Sequence, residues 1–218
     1  MSSLNNFIPN IEKKSQPQLP DGFKYIPRFL NKDEADKLYN TLVEEIEWEE
    51  REIKMFGKVY MQPRLIKWYG DKAYSYSKQD FRAQKMPQIV ENLKQKVQEF
   101  SGAQCNSVLI NYYRNEQDSM GKHSDDEKEL GPNPTIISVS VGEEREFVII
   151  NKYAQQSKIL TTPNSKNSKG TKERIKINLE HGSLLIMNKD SQHKFWHELP
   201  KSKTKKRGRI NLTFRYIY

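Results

Sequence analysis

Residues 111–127 read NYYRNEQDSMGKHSDDE, and within them the imidazole of His123 and the carboxylate of Asp125 stand two positions apart. On extended backbone, positions i and i+2 point to the same side, so both heads can reach one ion. A third ligand is offered far downstream by His197. Two His and one carboxylate on one face of an ion, with the opposite positions open, form the ligand set of non-haem Fe(II) oxygenases. An isolated H-x-D is common by chance, so its weight comes from the arginines placed after His197. Arg209 lies twelve residues on and Arg215 six further, in RINLTFR. There Arg209, Asn211, Thr213 and Arg215 alternate with Ile210, Leu212, Phe214 and Tyr216. A strand so patterned has one cationic, polar face and one apolar face. Inward-facing guanidiniums are costly to bury unless they meet anions, and a small dicarboxylate supplies two. Asn111 and Tyr113 share a strand face and can donate further hydrogen bonds to the same molecule. The residues suggest an iron enzyme with a dicarboxylate co-substrate; an outward-facing basic edge strand is the plainer alternative.

At 218 residues the chain fits one domain with a sizeable core and a loose end. Its 11% aromatic content is too high for a disordered chain, although 30% of the residues are charged. No apolar run approaches membrane-spanning length, and no charged-then-apolar signal segment opens the chain. A membrane partner is therefore not expected, and the location expected is intracellular. The single cysteine, Cys105, cannot form an internal disulfide, which suits a reducing compartment; a small buried side chain is the better reading of it. Lys and Arg exceed Asp and Glu by 37 to 28, a formal charge of +9 that favours polyanions, nucleic acid first among them. An ordinary solvated basic surface has the same charge.

Residues 1–20, rich in Asn, Ser, Gln, Lys and Pro, read as a flexible arm. Within it Phe7-Ile8-Pro9 is either a docking motif or plain tail. Phe23, Tyr25, Ile26 and Phe29 suggest a first strand. Asn31 with Glu34 has capping-box spacing, and Ala35, Leu38, Leu42 and Ile46 recur at helical intervals, predicting a helix over 32–47. The stretch REIKMFGKVYMQPR (51–64) alternates around Gly57, a hairpin signal. Met55 and Phe56 at its tip either wedge between bases or fold back onto the core. Trp68, Tyr69, Tyr74 and Tyr76 are stacking platforms for a planar base or ordinary strand residues. Pro87 at a helix N1 position, then Ile89, Val90, Leu93, Val97 and Phe100, with Gly102 beyond, predict a second helix over 87–101. Strands are expected near 107–113, 135–141, 145–151, 174–179, 183–188, 193–197 and 209–217, joined by turns, which suggests a barrel or jelly roll. Residues 163–171 and the basic run KSKTKKRG (201–208) read as exposed loops. The basic run grips phosphates, signals nuclear import, or is simply solvated.

The segments NYYRNEQDSMGKHSDDE, HGSLLIMN and RINLTFR resemble those of the AlkB family, Fe(II)/2-oxoglutarate dioxygenases that repair alkylated nucleic acids. The likeness is to the eukaryotic DNA- and RNA-acting homologues and covers roughly residues 22–217, with four separated elements agreeing in order and spacing. It implies an α+β, mainly β fold: a double-stranded β-helix (jelly roll) with flanking helices and an N-terminal nucleotide-recognition lid. After the arm at 1–20, the chain would form a single domain over 21–218. Residues 21–105 would supply helices and lid, and 106–218 the β-helix catalytic core.

By position, the resemblance implies iron ligation by His123, Asp125 and His197. It implies 2-oxoglutarate contacts from Asn111, Tyr113, Arg209, Asn211 and Arg215, with Arg209 on the distal carboxylate and Arg215 nearer the iron. On the substrate side it implies Asp126 and Glu127 beside a flipped base, Tyr76 and Arg64 at the lesion pocket, and Phe56 pushed into the base stack. Lys78 stands where some duplex-acting relatives carry a pocket aromatic. The cofactors implied are Fe(II), 2-oxoglutarate as co-substrate, and O2. The reaction implied hydroxylates the N-methyl carbon of 1-methyladenine- or 3-methylcytosine-type lesions, releasing formaldehyde, succinate and CO2. The partner implied is alkylated DNA, single- or double-stranded, with RNA a further candidate. A monomer is expected, in the nucleus for a eukaryotic source and the cytoplasm for a bacterial one. Two other classes fit parts of the sequence: an oxygenase acting on a protein or small molecule, and a non-catalytic nucleic-acid-binding module.

Overall fold

Asn31 opens the first helix, α1 (Lys32–Glu45), with the capping box its sequence predicts: its side chain accepts from the Glu34 amide while the Glu34 carboxylate takes the Asn31 amide. The computed structural model describes residues 17–55, 57–72, 74–76, 79–154 and 174–218; at 54, 55, 74–76 and 79–81 it describes the backbone alone. Most of the N-terminal arm, Phe56, Lys78 and the loop at 163–171 lie outside the described residues. A second helix, α2 (Gln88–Ser101), has Pro87 as its N-cap instead of its first residue, so it begins one position later than the sequence predicts. It ends on Gly102 in the left-handed conformation.

Among the described residues the strands, in chain order, are β1 (Phe23–Ile26), β2 (Glu52–Met55), β3 (Lys58–Met61), β4 (Leu65–Gly70), β5 (Tyr74–Tyr76), β6 (Gln79–Phe81), β7 (Ser107–Tyr113), β8 (Met120–His123), β9 (Ile136–Gly142), β10 (Arg145–Asn151), β11 (Arg174–Leu179), β12 (Ser183–Met187), β13 (Phe195–Leu199) and β14 (Arg209–Arg215). Two antiparallel sheets are the body of the fold. The larger runs β1-β12-β9-β14-β7-β4 and the smaller β11-β10-β13-β8, the arrangement of a jelly roll. β2 pairs with β3 and β5 with β6 as separate two-stranded hairpins. In the first, Met55 pairs with Lys58, so the strands reverse around Gly57, as the sequence predicts.

β14 carries the logic of the fold. Its apolar side chains Ile210, Leu212 and Phe214 join Val108, Ile110, Val139 and Val141 on one face of the large sheet. Leu38, Leu42, Val90, Leu93 and Val97 of the two helices cover that face. The opposite face looks onto the small sheet, where Leu109, Phe147, Ile149, Ile177 and Leu185 fill the space between them. Arg209, Asn211, Thr213 and Arg215 point into this second space, and every residue of β14 is buried. The alternation is thus that of a central strand covered on both faces, and a basic edge strand is ruled out by its pairing with β7 and β9 on either side.

Glycine at position 142 lets this strand enter. Its φ is +91°, and a Cβ there would lie 2.4 Å from the Gly208 carbonyl oxygen, just ahead of Arg209.

The strand expected at 193–197 is displaced. Ser191–Lys194 form a short helix, α3, and pairing begins only at Phe195. The amides of His193 and Lys194 both bond the Asp190 carbonyl, closing one helical turn that carries Gln192 into the interior. β8, MGKH, has no strand signal of its own and is held extended by β13.

Leu212 is fully buried between sheet and helices. Leu212→Ala should lower stability by about 2–5 kcal/mol in urea unfolding with an unchanged m-value. A loss below about 0.5 kcal/mol would show that this face is not the main core.

Candidate metal and co-substrate site

His123 ends β8, and its cross-strand partner on β13 is His197, so strand register alone sets the two imidazoles side by side. Their ring centroids are 4.2 Å apart, edge to face. Past the end of β8 the chain turns Asp125 inward, 1% exposed. His123 Nε2 lies 3.9 Å from Asp125 Oδ1, and His197 Nε2 4.0 Å from Oδ2. Ligand atoms of the three residues all lie within 4.8 Å of one another, a grouping that can hold a metal ion. Nδ1 of His123 is 2.8 Å from the Gly121 carbonyl, which acts as acceptor; this leaves Nε2 unprotonated and directed at the ion position. Phe147 stacks on His197 at 5.4 Å between centroids.

Burial is the main electrostatic force on this cluster. It pushes the His197 imidazole down to about 3, with the neighbouring His123 adding to the shift, and burial likewise lowers His123. Both rings are therefore neutral at neutral pH, the form that ligates metals. For Asp125, burial pulls upward, but the adjacent Arg215 and the two imidazoles outweigh it and hold the carboxyl below its usual range. Arg215 Nη2 donates to Asp125 Oδ1 at 2.9 Å, both side chains being almost wholly buried. The Asp125 amide donates to Gln192 Oε1 at 3.0 Å. One carboxylate is thus aimed from β14 and from α3 together.

Beyond the three ligands a narrow cavity runs between the sheets. Leu109, Phe147, Leu179 and Met187 give it apolar walls; Asn111, Tyr113, Arg209, Asn211, Thr213 and Arg215 supply its polar ones. Asn211 donates to Ser138 Oγ at 2.7 Å and to the Val139 carbonyl, and Thr213 donates to Asn211 Oδ1. Arg64, buried, donates from Nε to Asn111 Oδ1 at 2.9 Å, leaving the Asn111 NH2 group as the one a ligand can engage.

Arg209 tests whether the cavity fits a dicarboxylate. It is 1% exposed, and Nη2 donates to Ser140 Oγ at 2.8 Å. Its Nε and Nη1 are buried without a hydrogen-bond partner among the described residues. Burial lowers its pKa to about 10, still a cation at neutral pH. A buried guanidinium with two idle donors on a cavity wall needs an anion, and a carboxylate matches its fork. The residues fit the group.

The structure brings together every residue the sequence assigns to the metal and the co-substrate. The substrate-side residues are more dispersed. Asp126 is exposed, bonded by Ser124 Oγ and 3.9 Å from the Lys152 ammonium. Glu127 is half-buried at the start of the 3-10 turn Lys128–Leu130, with Oε2 out of solvent. Tyr76 ends β5 in the second hairpin, and Phe56 lies outside the described residues. Sequence reasoning missed Gln192, which carries no local signal. It also missed Ser138 and Ser140, whose alternation with Ile137, Val139 and Val141 on β9 was readable.

Residues 22–215 match the 2OG-Fe(II) oxygenase superfamily. The human alpha-ketoglutarate-dependent dioxygenase alkB homolog 3 is 38% identical over 196 residues, covering 88% of this chain and 65% of that protein. The mouse DNA oxidative demethylase ALKBH2 is 35% identical over 193 residues, covering 86% of this chain and 77% of that protein. Among solved structures, OsALKBH1 superposes with a TM-score of 0.58 at 19% identity, covering 91% of this chain and all of the other, a likeness of fold. The chain belongs to the 2OG-Fe(II) oxygenase superfamily, and within it to the AlkB family. It spans 65% of the length of the human and bovine homolog 3 proteins. Fe(II), 2-oxoglutarate and O2 are the cofactor set this family implies, and His123, Asp125 and His197 fit its iron site.

Arg209→Met should weaken 2-oxoglutarate binding about 10–100-fold in anaerobic calorimetry, the scale of one lost charge-assisted pair, while metal affinity stays within threefold. Unchanged 2-oxoglutarate affinity would remove Arg209 from the co-substrate site.

Proposed function

We propose that the chain is an oxidative demethylase of N-alkylated bases in nucleic acid, acting on 1-methyladenine- and 3-methylcytosine-type lesions in DNA and also in RNA. The observation that carries the reading is the pairing of two features in one cavity: three converging ligand atoms, and beyond them a buried guanidinium with two unengaged donors. The choice of nucleic acid is supported by the relatives, named a DNA oxidative demethylase and an alkB homolog dioxygenase, and by the formal charge of +9.

When bound, Fe(II) with 2-oxoglutarate and O2 supplies the oxidising equivalents that hydroxylate an N-methyl carbon, with succinate and CO2 as co-products. The chain's own residues do the placing. Asp125 stays ionised because Arg215 faces it, and the Gln192 carboxamide fixes the backbone that presents it. His123 and His197 stay neutral because they are buried. Arg209, Tyr113 and Asn211 orient the dicarboxylate, while Leu109, Phe147 and Leu179 keep water from the reacting carbon. A methyl group on a Watson–Crick edge is inaccessible in a duplex, so the base must leave the stack, which costs least for a lesion that cannot pair. On this reading Phe56 fills the gap left in the stack, and Arg64, Tyr76, Asp126 and Glu127 line the path of the extruded base. Once hydroxylated, the methyl carbon leaves as formaldehyde and the base is restored.

The decisive test loads the protein with Fe(II) and 2-oxoglutarate without oxygen, then exposes it to air with methylated single- and double-stranded DNA, methylated RNA and a methylated peptide. Formaldehyde should appear with the oligonucleotides; release from the peptide alone would refute the reading. Asp125→Ala should abolish lesion-dependent succinate formation with nucleic-acid affinity retained, and full turnover would end the iron assignment. Phe56→Ala should lower duplex turnover far more than single-strand turnover; equal losses would remove its role in the stack.

A further inference from the structure

Arg145 is a buried charge that neither the metal site nor the proposed chemistry uses. It opens β10, is 2% exposed, and is among the largest fully buried side chains of the fold. Its Nη1 donates to the Asn115 carbonyl at 3.1 Å, and its Nη2 to the Asp118 and Pro200 carbonyls at 2.9 and 2.7 Å. The hydrogen bonds it makes among the described residues go to main-chain oxygens, and none to a carboxylate. Asp118, the nearest acid in sequence to that nest, is instead engaged by Arg114 from Nε and Nη2. Glu116, Asp118 and Glu143 therefore act on Arg145 only through space. A buried cation held without a direct ion pair is expensive unless the charge has a use.

Its surroundings show what that use is. The three carbonyls belong to the turn between β7 and β8 and to the residue that follows β13, so Arg145 ties together the strands carrying Tyr113, His123 and His197. Its guanidinium lies 6.0 Å from the Tyr113 ring centroid, and that of Arg209 lies 5.2 Å from the same ring. Two buried guanidiniums thus share one phenol at the end of the cavity away from the iron ligands. Arg209 alone reaches the cavity wall; Arg145 stands behind it.

We propose that Arg145 is a positioning residue for the co-substrate. Its charge, held by three carbonyls behind Tyr113, makes the far end of the cavity select a second carboxylate over a methyl group at the same chain position. This rests on the cavity being the 2-oxoglutarate site. Carbonyl oxygens orient a guanidinium without neutralising it, and Glu116, Asp118 and Glu143, which act only through space, offset its field in part. A unit charge about 10 Å from an anion, at an effective dielectric of about 20, changes the affinity on the order of tenfold.

The test compares 2-oxoglutarate with 2-oxopentanoate, which has the same 2-oxo acid head and chain length but a methyl in place of the distal carboxylate. Binding is measured anaerobically by calorimetry on full-length protein loaded with Mn(II). Arg145→Gln keeps amide donors for the carbonyls and removes the charge; the preference for 2-oxoglutarate should fall about tenfold with affinity for 2-oxopentanoate unchanged. Arg145→Lys keeps the charge and loses the fork, and should retain the preference within about threefold. Equal losses for both ligands in Arg145→Gln would overturn the proposal, because a merely structural brace weakens both alike. If Arg145→Gln does not fold, Arg145→Lys decides alone: a tenfold loss of preference overturns the proposal and retention upholds it. Wild-type protein that binds Mn(II) but not 2-oxoglutarate would overturn the co-substrate reading itself, a result distinct from an unchanged preference in the variants.

Discussion

A carboxylate buried to 1% exposure remains a carboxylate here because a guanidinium from the last strand faces it at 2.9 Å. The rest of the structure depends on this pair. Left alone, Asp125 would be driven by burial to take up a proton and would lose its value as a ligand. Arg215 holds the charge on Asp125, and Asp125 in turn gives Arg215 a reason to be buried. The two imidazoles complete the balance by staying neutral, so the cluster accepts a cation without carrying an excess positive charge of its own. Its geometry comes from three sources at once: β8 and β13 in register, β14 across the core, and the α3 turn through Gln192.

β14 reconciles two demands that usually conflict. A central strand wants apolar side chains on both faces, whereas a dicarboxylate site wants charge and hydrogen-bond donors. The helices satisfy the first demand on one face, against Ile210, Leu212 and Phe214. On the other, Ser138 and Ser140 of the adjacent strand accept from Asn211 and Arg209, so the protein itself satisfies part of the polar face. Two nitrogens of Arg209 have no hydrogen-bond partner among the described residues, and they mark where an anion belongs.

The substrate side is built on different principles. Among the described residues the β2–β3 hairpin pairs only with itself, and it leaves Val59, Tyr60 and Met61 exposed, an apolar stretch that water does not favour. The His123–Asp125–His197 group, by contrast, is held from β8, β13, β14 and α3 together.

Much of the site was legible from residues alone because side-chain alternation is a local property. RINLTFR states its two faces in seven letters, Asn31 and Glu34 state a helix start, and Gly57 a turn. The pairing of β14 on both sides settled that its polar face was interior, which no alternation can say. Register placed His197 opposite His123, across a separation in sequence that spacing alone does not bridge. The turn at α3, the strand character of MGKH, and the hydrogen bonds of Gln192 and Arg145 were decided only by tertiary structure. Each depends on hydrogen-bond partners that are distant along the chain and meet only when the two sheets close over one another.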